Sequence, residues 1–346
     1  MMSKVKLGPL VEIKTGKLDA NAAAADGQYP FFTCSKDNKK INTYSFDGEY
    51  VIVAGNGDLN VKYYSGKFDA YQRTYTLKPS PQLDGKFLYH FMSKYVERLR
   101  EQSIGGVIKY IKLGNLTNAL IPLPSIEEQN KIAAILDAAD DYRQKTKALI
   151  DKYDQLTQSL FLDMFGDPVT NPKGWDVKKG NELFKFTSGK YNPTKNLSPQ
   201  YDFPSYGGNG ITGMSQSFLI DFPTIVIGRV GAYCGSIHLT KGKIWITDNA
   251  IYIKEFYKDV NLTYAYFFFR GYNLNRFADF SGQPKITQKP MQNMSFMYPD
   301  LSLQNQFAER VAQIEKQKQQ AEATLVKAEE LFSSLLQRAF KGELTS

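Results

Sequence analysis

Between Pro124 and Gly166 the chain has neither glycine nor proline, and the same is true between Pro299 and Gly342. Each run is about 40 residues, or about 60 Å as a helix at 1.5 Å per residue. In the first run, Ile132, Leu136, Ala139, Tyr142, Thr146, Leu149, Tyr153, Leu156 and Leu160 form an apolar or small seam. From Ala139 its steps alternate between 3 and 4, the heptad signature of a coiled coil. The second run repeats the alternation at Phe307, Val311, Ile314, Lys318, Ala321, Leu325, Ala328, Phe332 and Leu335. Such helices are too long for the edge of a domain of ~125 residues, so pairing with each other is expected. Lys318 would be a register-setting polar residue in that seam.

The two runs are copies. Gln129-Asn130-Lys-Ile132-Ala133 corresponds to Gln304-Asn305-Gln-Phe307-Ala308 at an offset of 175, which Pro124 and Pro299 share. Pro124 disfavours helix before it, and Ser125 with Glu128 reads as a capping box.

The intervening parts repeat as well. Val51–Ala54 and Thr224–Gly228 read as buried strands. Gly55-Asn-Gly57 and Gly228-Arg-Val-Gly231 follow them as turns. The Arg73 strand corresponds to Asp248–Ile253, the helical stretch from Phe87 to Leu262–Phe269, and the Gly105–Lys109 loop to Ser281–Ile286. Thr15-Gly-Lys17 matches Ser188-Gly-Lys190, whereas Phe31–Tyr44 and Tyr191–Phe218 scarcely match. The pattern is one scaffold carrying two different surfaces.

Charge is divided the same way. Within a net charge of +8, residues 1–124 carry +6 and residues 172–299 carry +7, against −4 over 125–171 and −1 over 300–346. Cationic globular parts suit a polyanion, and the helices suit protein. Two cysteines, Cys34 and Cys234, at unmatched positions argue against a disulfide framework or a cysteine metal site and fit a reducing cytoplasm. No secretory signal and no membrane span is expected.

Catalytic constellations are missing. Of the two histidines, His90 sits in an aromatic helical pattern and reads as a packing residue. The phosphate-loop and dinucleotide fingerprints are absent. Asp137, Asp140 and Asp141 read as a solvated or partner-facing helix face. What the sequence offers instead is loops mixing cations, amides, glycine and tyrosine. The DNA-contact candidates in the first part are Lys36, Asn38, Lys39, Lys40, Lys62, Tyr63, Arg73 and Lys109. In the second they are Lys190, Asn192, Lys195, Tyr206, Asn209, Arg229, Tyr233, Lys243, Gln283 and Lys285. Arg, Asn and Gln can bond base edges in pairs, while Lys suits phosphates. On residues alone a second reading stays open: a coiled-coil scaffold whose two β-rich modules bind protein or acidic ligands.

The stretch Ile121-Pro-Leu-Pro-Ser-Ile-Glu-Glu-Gln-Asn-Lys-Ile-Ala-Ala-Ile-Leu136, with its fainter copy Met297–Ala308, resembles the specificity subunit of type I restriction–modification systems. The second copy has Asp300-Leu-Ser where the first has Ser125-Ile-Glu. The resemblance implies an α+β fold. Two globular β-rich target recognition domains would be separated by two long antiparallel coiled-coil helices in a pseudo-two-fold tandem repeat. Its divisions would be 1–122 and 175–298 for the recognition domains, 123–165 and 299–341 for the spacer helices, 166–174 for a linker and 342–346 for a tail. It also implies a non-catalytic, sequence-specific DNA-binding subunit that reads a bipartite target on double-stranded DNA, in the cytoplasm. The partners would be two methyltransferase subunits and restriction/translocase subunits. S-adenosylmethionine, ATP and Mg would be held by those partners and not by this chain.

Overall fold

The computed structural model describes residues 3–344. The chain divides into two compact units, Met1–Ala148 with Glu322–Ser346, and Leu149–Ala321.

The first unit contains β1 (Lys4–Lys6), β2 (Val11–Thr15), β3 (Tyr29–Phe32), β4 (Lys39–Ile41), β5 (Phe46–Ala54), β6 (Val61–Ala70), β7 (Thr74–Pro79), α1 (Gly85–Gln102), α2 (Leu113–Thr117) and β8 (Leu120–Pro122). The long helix α3 (Ile126–Phe165) begins in this unit. The second unit contains β9 (Val177–Lys179), α4 (Gly180–Leu183), β10 (Phe184–Ser188), β11 (Phe203–Gly207), β12 (Gly210–Ser215), β13 (Ile225–Gly228), β14 (Ile237–Leu239), β15 (Trp245–Ile246), β16 (Ala250–Phe256), α5 (Leu262–Tyr272), α6 (Gln288–Asn293) and β17 (Ser295–Met297). The second long helix, α7 (Leu301–Lys341), starts there.

The two units share one topology. In the first, a six-stranded sheet runs β2-β7-β5-β6-β3-β4. In the second, the same path is broken into β10-β16-β13-β14 and β12-β11-β15. The registers coincide: Val51 faces Leu77 and Val226 faces Tyr252, each pair 175 residues from its counterpart. The hairpins β3–β4 and β11–β12 are also equivalent. β3 joins the end of β6 in parallel at Phe32–Ala70, and β11 joins β15 in parallel at Tyr206–Ile246. The long strand β6 of the first unit is therefore split into β14 and β15 in the second. This equivalence lies in the stretch where the two sequences scarcely match.

Each sheet is covered by a helix whose apolar face closes the core. Phe87, Leu88, Phe91 and Met92 of α1 are buried with Val51, Val53 and Leu77. Tyr264, Phe268 and Phe269 of α5 are buried with Ile225, Ile227 and Ile251. Short pairings of β1 with β8 and of β9 with β17 tie the start of each globular part to the strand that leads into its long helix.

The long helices pack in antiparallel fashion within each unit. In the first, Arg143 lies over the Phe332 ring and Lys147 pairs with Glu329 at 3.2 Å. In the second, Lys318 reaches Asp154 at 2.6 Å, and Phe161 and Phe165 sit edge-on to Phe307. Residue numbers in α7 fall as those in α3 rise. Lys318 thus has an acidic partner across the pair.

The seam of α7 is as expected, with every residue buried or half-buried. That of α3 differs at three positions. Tyr142, Leu149 and Leu156 are exposed. The residues one place on, Arg143, Ile150 and Thr157, turn inward with Ala139, Thr146, Tyr153 and Leu160. The polar side chains there are held locally, although the buried Nε of Arg143 has no partner among the described residues. Thr146 Oγ1 donates to the Tyr142 carbonyl at 2.8 Å, and Thr157 Oγ1 to that of Tyr153 at 2.9 Å. Arg143 pairs with Asp140.

Both long helices are locked to their sheet-covering helix by a buried glutamine. Gln129 Oε1 accepts from the Asp84 backbone N–H at 2.9 Å, and Gln129 Nε2 donates to the Pro124 and Gln82 carbonyls at 3.0 Å each. Gln304 Oε1 accepts from the Asn261 N–H at 2.9 Å, and Gln304 Nε2 donates to the Pro299 carbonyl at 2.8 Å. Asp84 and Asn261 are themselves the capping residues of α1 and α5. The capping box of α3 is present: the Glu128 N–H donates to Ser125 Oγ at 3.3 Å, and the Ser125 N–H to Glu128 Oε2 at 3.2 Å.

Two acidic residues of α3 are not on a solvated face. Asp137 turns to α1, where it pairs with Lys86 at 2.5 Å and with His90 Nε2 at 2.8 Å. Asp140 is mostly covered by Arg143. Burial opposes ionisation of Asp137, but Lys86 and His90 outweigh it and hold its carboxyl below the usual range. His90 is therefore a paired residue as well as a packed one. Its burial pushes the imidazole below its ordinary value, against the pull of Asp137. The neutral ring with its proton on Nε2 donates to Asp137 Oδ1.

Two predictions follow from these contacts. Gln129→Ala and Gln304→Ala each strand buried backbone groups, and each should lower stability by about 2–4 kcal/mol. Gln→Glu at either site should also destabilise, because a carboxylate cannot donate to the proline carbonyl. Urea midpoints measure both, and unchanged midpoints would dismiss the glutamines as anchors. For His90, the unfolded chain takes up a proton near pH 6.5 and the folded chain only at lower pH. Its contribution is thus complete above about 6.5 and is lost as pH falls through the interval below. His90→Leu should flatten the decline in urea midpoint between pH 7 and pH 5.

Candidate nucleic-acid interface

In the first unit, strands β5 and β7 end together, with the Gly55 N–H donating to the Arg73 carbonyl at 2.9 Å. A Cβ on Gly55 would meet that carbonyl oxygen at 2.4 Å, so only glycine allows the approach. The chain leaving α1 returns over this turn. The Ile111 N–H donates to the Gly55 carbonyl and the Gly57 N–H to that of Lys109, both at 2.9 Å. The β3–β4 loop joins the same end. Cys34 Sγ lies 3.4 Å from the Arg73 carbonyl, Asn60 Nδ2 donates to the Cys34 carbonyl at 2.8 Å, and Lys36 pairs with Asp58 at 3.1 Å.

Lys36, Lys62, Arg73 and Lys109 are thereby collected at one end of the sheet. Asn56, Gln72 and Tyr110 join Arg73 around a cleft of about 450 Å³. Lys62 donates to the Ser35 carbonyl at 2.5 Å over the Phe32 ring, and burial pushes its ammonium below the ordinary lysine value. Asn38, Lys39 and Lys40 are exposed along the edge strand β4 and its approach. Tyr63 lies elsewhere. Its hydroxyl donates to Glu49 Oε1 at 2.6 Å, its ring meets Tyr89 of α1, and burial with Glu49 pushes its pKa up. Its side chain belongs to the contact between sheet and helix.

The second unit builds the same end from different residues. The Arg229 N–H donates to the Asn249 carbonyl at 3.0 Å, and the Ile286 N–H to that of Arg229 at 2.8 Å. These reproduce the Gly55–Arg73 and Ile111–Gly55 bonds. Arg229 Nη1 donates to the Asp248 carbonyl at 3.3 Å, while its buried Nε has no partner among the described residues. Gly231 is left-handed (φ 77°), and its N–H donates to the Pro284 carbonyl at 2.9 Å, bringing Gln283 and Lys285 beside Arg229. Tyr233 is exposed on the same loop.

The remaining candidates cluster on the second sheet of this unit. Trp245 Nε1 donates to the Lys190 carbonyl at 3.1 Å, Asn192 Nδ2 to Ser215 Oγ at 3.3 Å, and Lys243 lies 5.0 Å over the Phe218 ring. Lys195 is exposed on a short turn, and Asn209 is exposed between β11 and β12. Tyr206 is half-buried near His238, and burial pushes both from their ordinary values, the phenol up and the imidazole down.

Sequence reasoning missed Asn56, Gln72 and Tyr110, and also the exposed apolar residues Val107, Ile108 and Phe280. The repeat offset could have flagged Tyr110, which stands 175 residues before Lys285. Among the described residues no group of His, Cys, Asp or Glu is arranged to hold a metal ion, and no helix is long and apolar enough to cross a membrane.

The geometry is an array of cations, amides and tyrosines on a rigid frame, built twice. Comparison with known proteins gives it a family. The model of the type I restriction modification DNA specificity domain matches residues 2–152 and again residues 172–328. The type I restriction enzyme EcoDI specificity subunit of Escherichia coli is 31% identical over 99% of this chain and 88% of its own length. The EcoprrI specificity subunit, also of Escherichia coli, is 24% identical over 64% of this chain and 58% of its own length. A crystal structure of the type I S subunit from M. genitalium superposes with a TM-score of 0.69 at 21% identity, covering 98% of this chain and 96% of that one. A second structure, from work on assembly and conformational transition of a type I system, gives a TM-score of 0.58 at 15% identity over 99% and 98% of the two chains. With both globular parts matched by the family model and nearly the whole chain aligned to EcoDI, the chain belongs to the type I restriction–modification DNA specificity family.

Proposed function

We propose that each globular part of this specificity subunit reads one half of a bipartite target on double-stranded DNA, and that α3 and α7 set the unread spacer. The observation that carries this is the duplicated frame. Equivalent hydrogen bonds fix equivalent loop roots in both units, while the loops differ in residue and shape. One scaffold with two surfaces suits two unlike half-sites related by approximate two-fold symmetry. The helices pair antiparallel within each unit, which supports a spacer built from both of them.

The chain recognises DNA and leaves the chemistry to others. Its partners in this reading are two methyltransferase subunits and, for cleavage, restriction/translocase subunits, working in the cytoplasm. S-adenosylmethionine, ATP and Mg belong to those partners. Exposed Tyr142, Leu149 and Leu156 of α3 support a partner-facing role for that helix. Family membership removes the reason to favour a scaffold for acidic ligands.

Exchanging residues 1–122 for the matching part of a relative with another target should change one half-site and leave the other intact. Methylation mapping in cells carrying the hybrid reads this directly, and a change in both halves would refute the division of labour. Adding one heptad after Ala148 and one after Ala321 lengthens each helix by about 10 Å. The preferred spacer should then grow by about 3 base pairs at about 3.4 Å each. An unchanged spacer would show that something other than the helices measures it.

A further inference from the structure

Each unit carries a short loop whose tip holds exposed apolar side chains. In the first, Ile104 and Tyr110 exchange both backbone hydrogen bonds, at 3.0 and 2.8 Å, and close the five-residue tip Gly105–Lys109. Val107 is fully exposed there and Ile108 is 61% exposed. In the second, Asp279 and Lys285 exchange the same two bonds, at 2.9 and 3.2 Å, and close a tip over residues 280–284. Phe280 is 62% exposed there. The closing pairs stand 175 residues apart, yet no residue of one tip matches the other at that offset.

A single exposed apolar residue is ordinary on a protein surface. These two places differ because the tips are anchored and have cations at their roots, Lys109 and Arg73 in the first and Arg229 and Lys285 in the second. The first is rooted through Ile111 on Gly55 and through Lys109 on Gly57. It carries Lys109 itself and lies by the turn that holds Arg73. The second is rooted through Ile286 on Arg229 and through Pro284 on Gly231. Asp279 Oδ1 accepts from the Ser281 N–H at 2.9 Å, which stiffens the tip behind Phe280. An apolar point between cations complements a surface that is anionic outside and apolar within. Duplex DNA has that arrangement: phosphates flank each groove, and stacked bases line its floor.

We propose that the two tips are wedges, with Val107 and Ile108 in one half-site and Phe280 in the other pressed into a base step while the neighbouring cations hold the flanking phosphates. The wedge adds a readout that needs no hydrogen bond to a base edge. It favours half-sites containing an easily unstacked step, and so contributes specificity through deformability. The inference rests on the reading that each unit serves one half-site.

The test uses the full chain assembled with its methyltransferase subunits, on duplexes carrying the mapped target. 2-Aminopurine is placed at one position at a time through each half-site. We expect a fluorescence rise at one step per half-site, distinct from the methylated base. The V107S/I108S variant should abolish the rise in the first half only, and F280S in the second half only. Each should weaken specific binding about tenfold, because apolar contact and unstacking are lost together. The salt dependence should stay unchanged in these variants, whereas Arg73→Ala should reduce its slope by about one. Wild-type fluorescence and affinity in both tip variants would overturn the wedge while leaving the half-site reading intact. Stable variants that no longer join the methyltransferase subunits would also overturn it, making the tips protein contacts. A wild-type complex with no preference among DNA sequences would overturn the half-site reading together with the wedge.

Discussion

The buried glutamine at the start of each long helix is the contact on which the rest of the architecture depends. Gln129 and Gln304 are fully buried, and each links two helix starts with its amide. The acceptor end takes the N–H of the residue that caps α1 or α5, and the donor end takes the carbonyl of the proline before α3 or α7. Neither an apolar side chain nor a carboxylate can serve both. The amide thereby fixes the direction in which the long helix leaves its sheet, which any spacer role for these helices requires.

Around this shared joint the two units differ in chemistry. Counted from the capping residues Asp84 and Asn261, His90 stands where the second unit has Phe267, and Lys86 where it has Thr263. Counted along the long helices, Asp137 stands where α7 has Ala312. The first unit therefore joins α1 to α3 with an ion-paired network, and the second joins α5 to α7 with rings, Phe267 lying edge-on to Phe307 at 5.4 Å. The network titrates and the rings do not. Below neutral pH the strain of charging falls on the first joint, since a buried imidazolium would have to form there. The same geometry is thus reached by two means with different sensitivity to acid.

Much of this was legible from the chain because a duplication checks itself. The offset of 175 located the helix starts, and in the structure it also relates the closing pairs of the tip loops. It also held the right answer where hydrophobicity misled. Subtracting 175 from the seam of α7 gives Ile132, Leu136, Ala139, Arg143, Thr146, Ile150, Tyr153, Thr157 and Leu160, which is the observed seam of α3. Tyr142, Leu149 and Leu156 drew the reading one residue aside because they are larger and more apolar than Arg143 and Thr157. Periodicity alone could not see that Asp140 pairs with Arg143 and that the i−4 carbonyls take the threonine hydroxyls inside the seam. The hairpins β3–β4 and β11–β12 were hidden for the opposite reason. Their equivalence rests on backbone pairing, which constrains side chains little on exposed edges. Tyr63 was misplaced because alternation along a strand does not say which face a helix will cover.

That pattern of retained and lost similarity bears on how such a chain acquires new targets. Among the residues that match between the units are several with no freedom: Gly16 and Gly189, where a Cβ would meet backbone oxygens at 1.8 and 2.2 Å, the two glutamines, and the buried strands. Many residues that do not match sit on loops whose ends are held by backbone hydrogen bonds. A loop anchored through its main chain can exchange every side chain without altering its roots. The tips at Gly105–Lys109 and 280–284 are the extreme case, with the same closing bonds and no residue matching at the offset of 175. Recognition can therefore change in one unit while the joint below it, and the helices that begin there, keep their geometry.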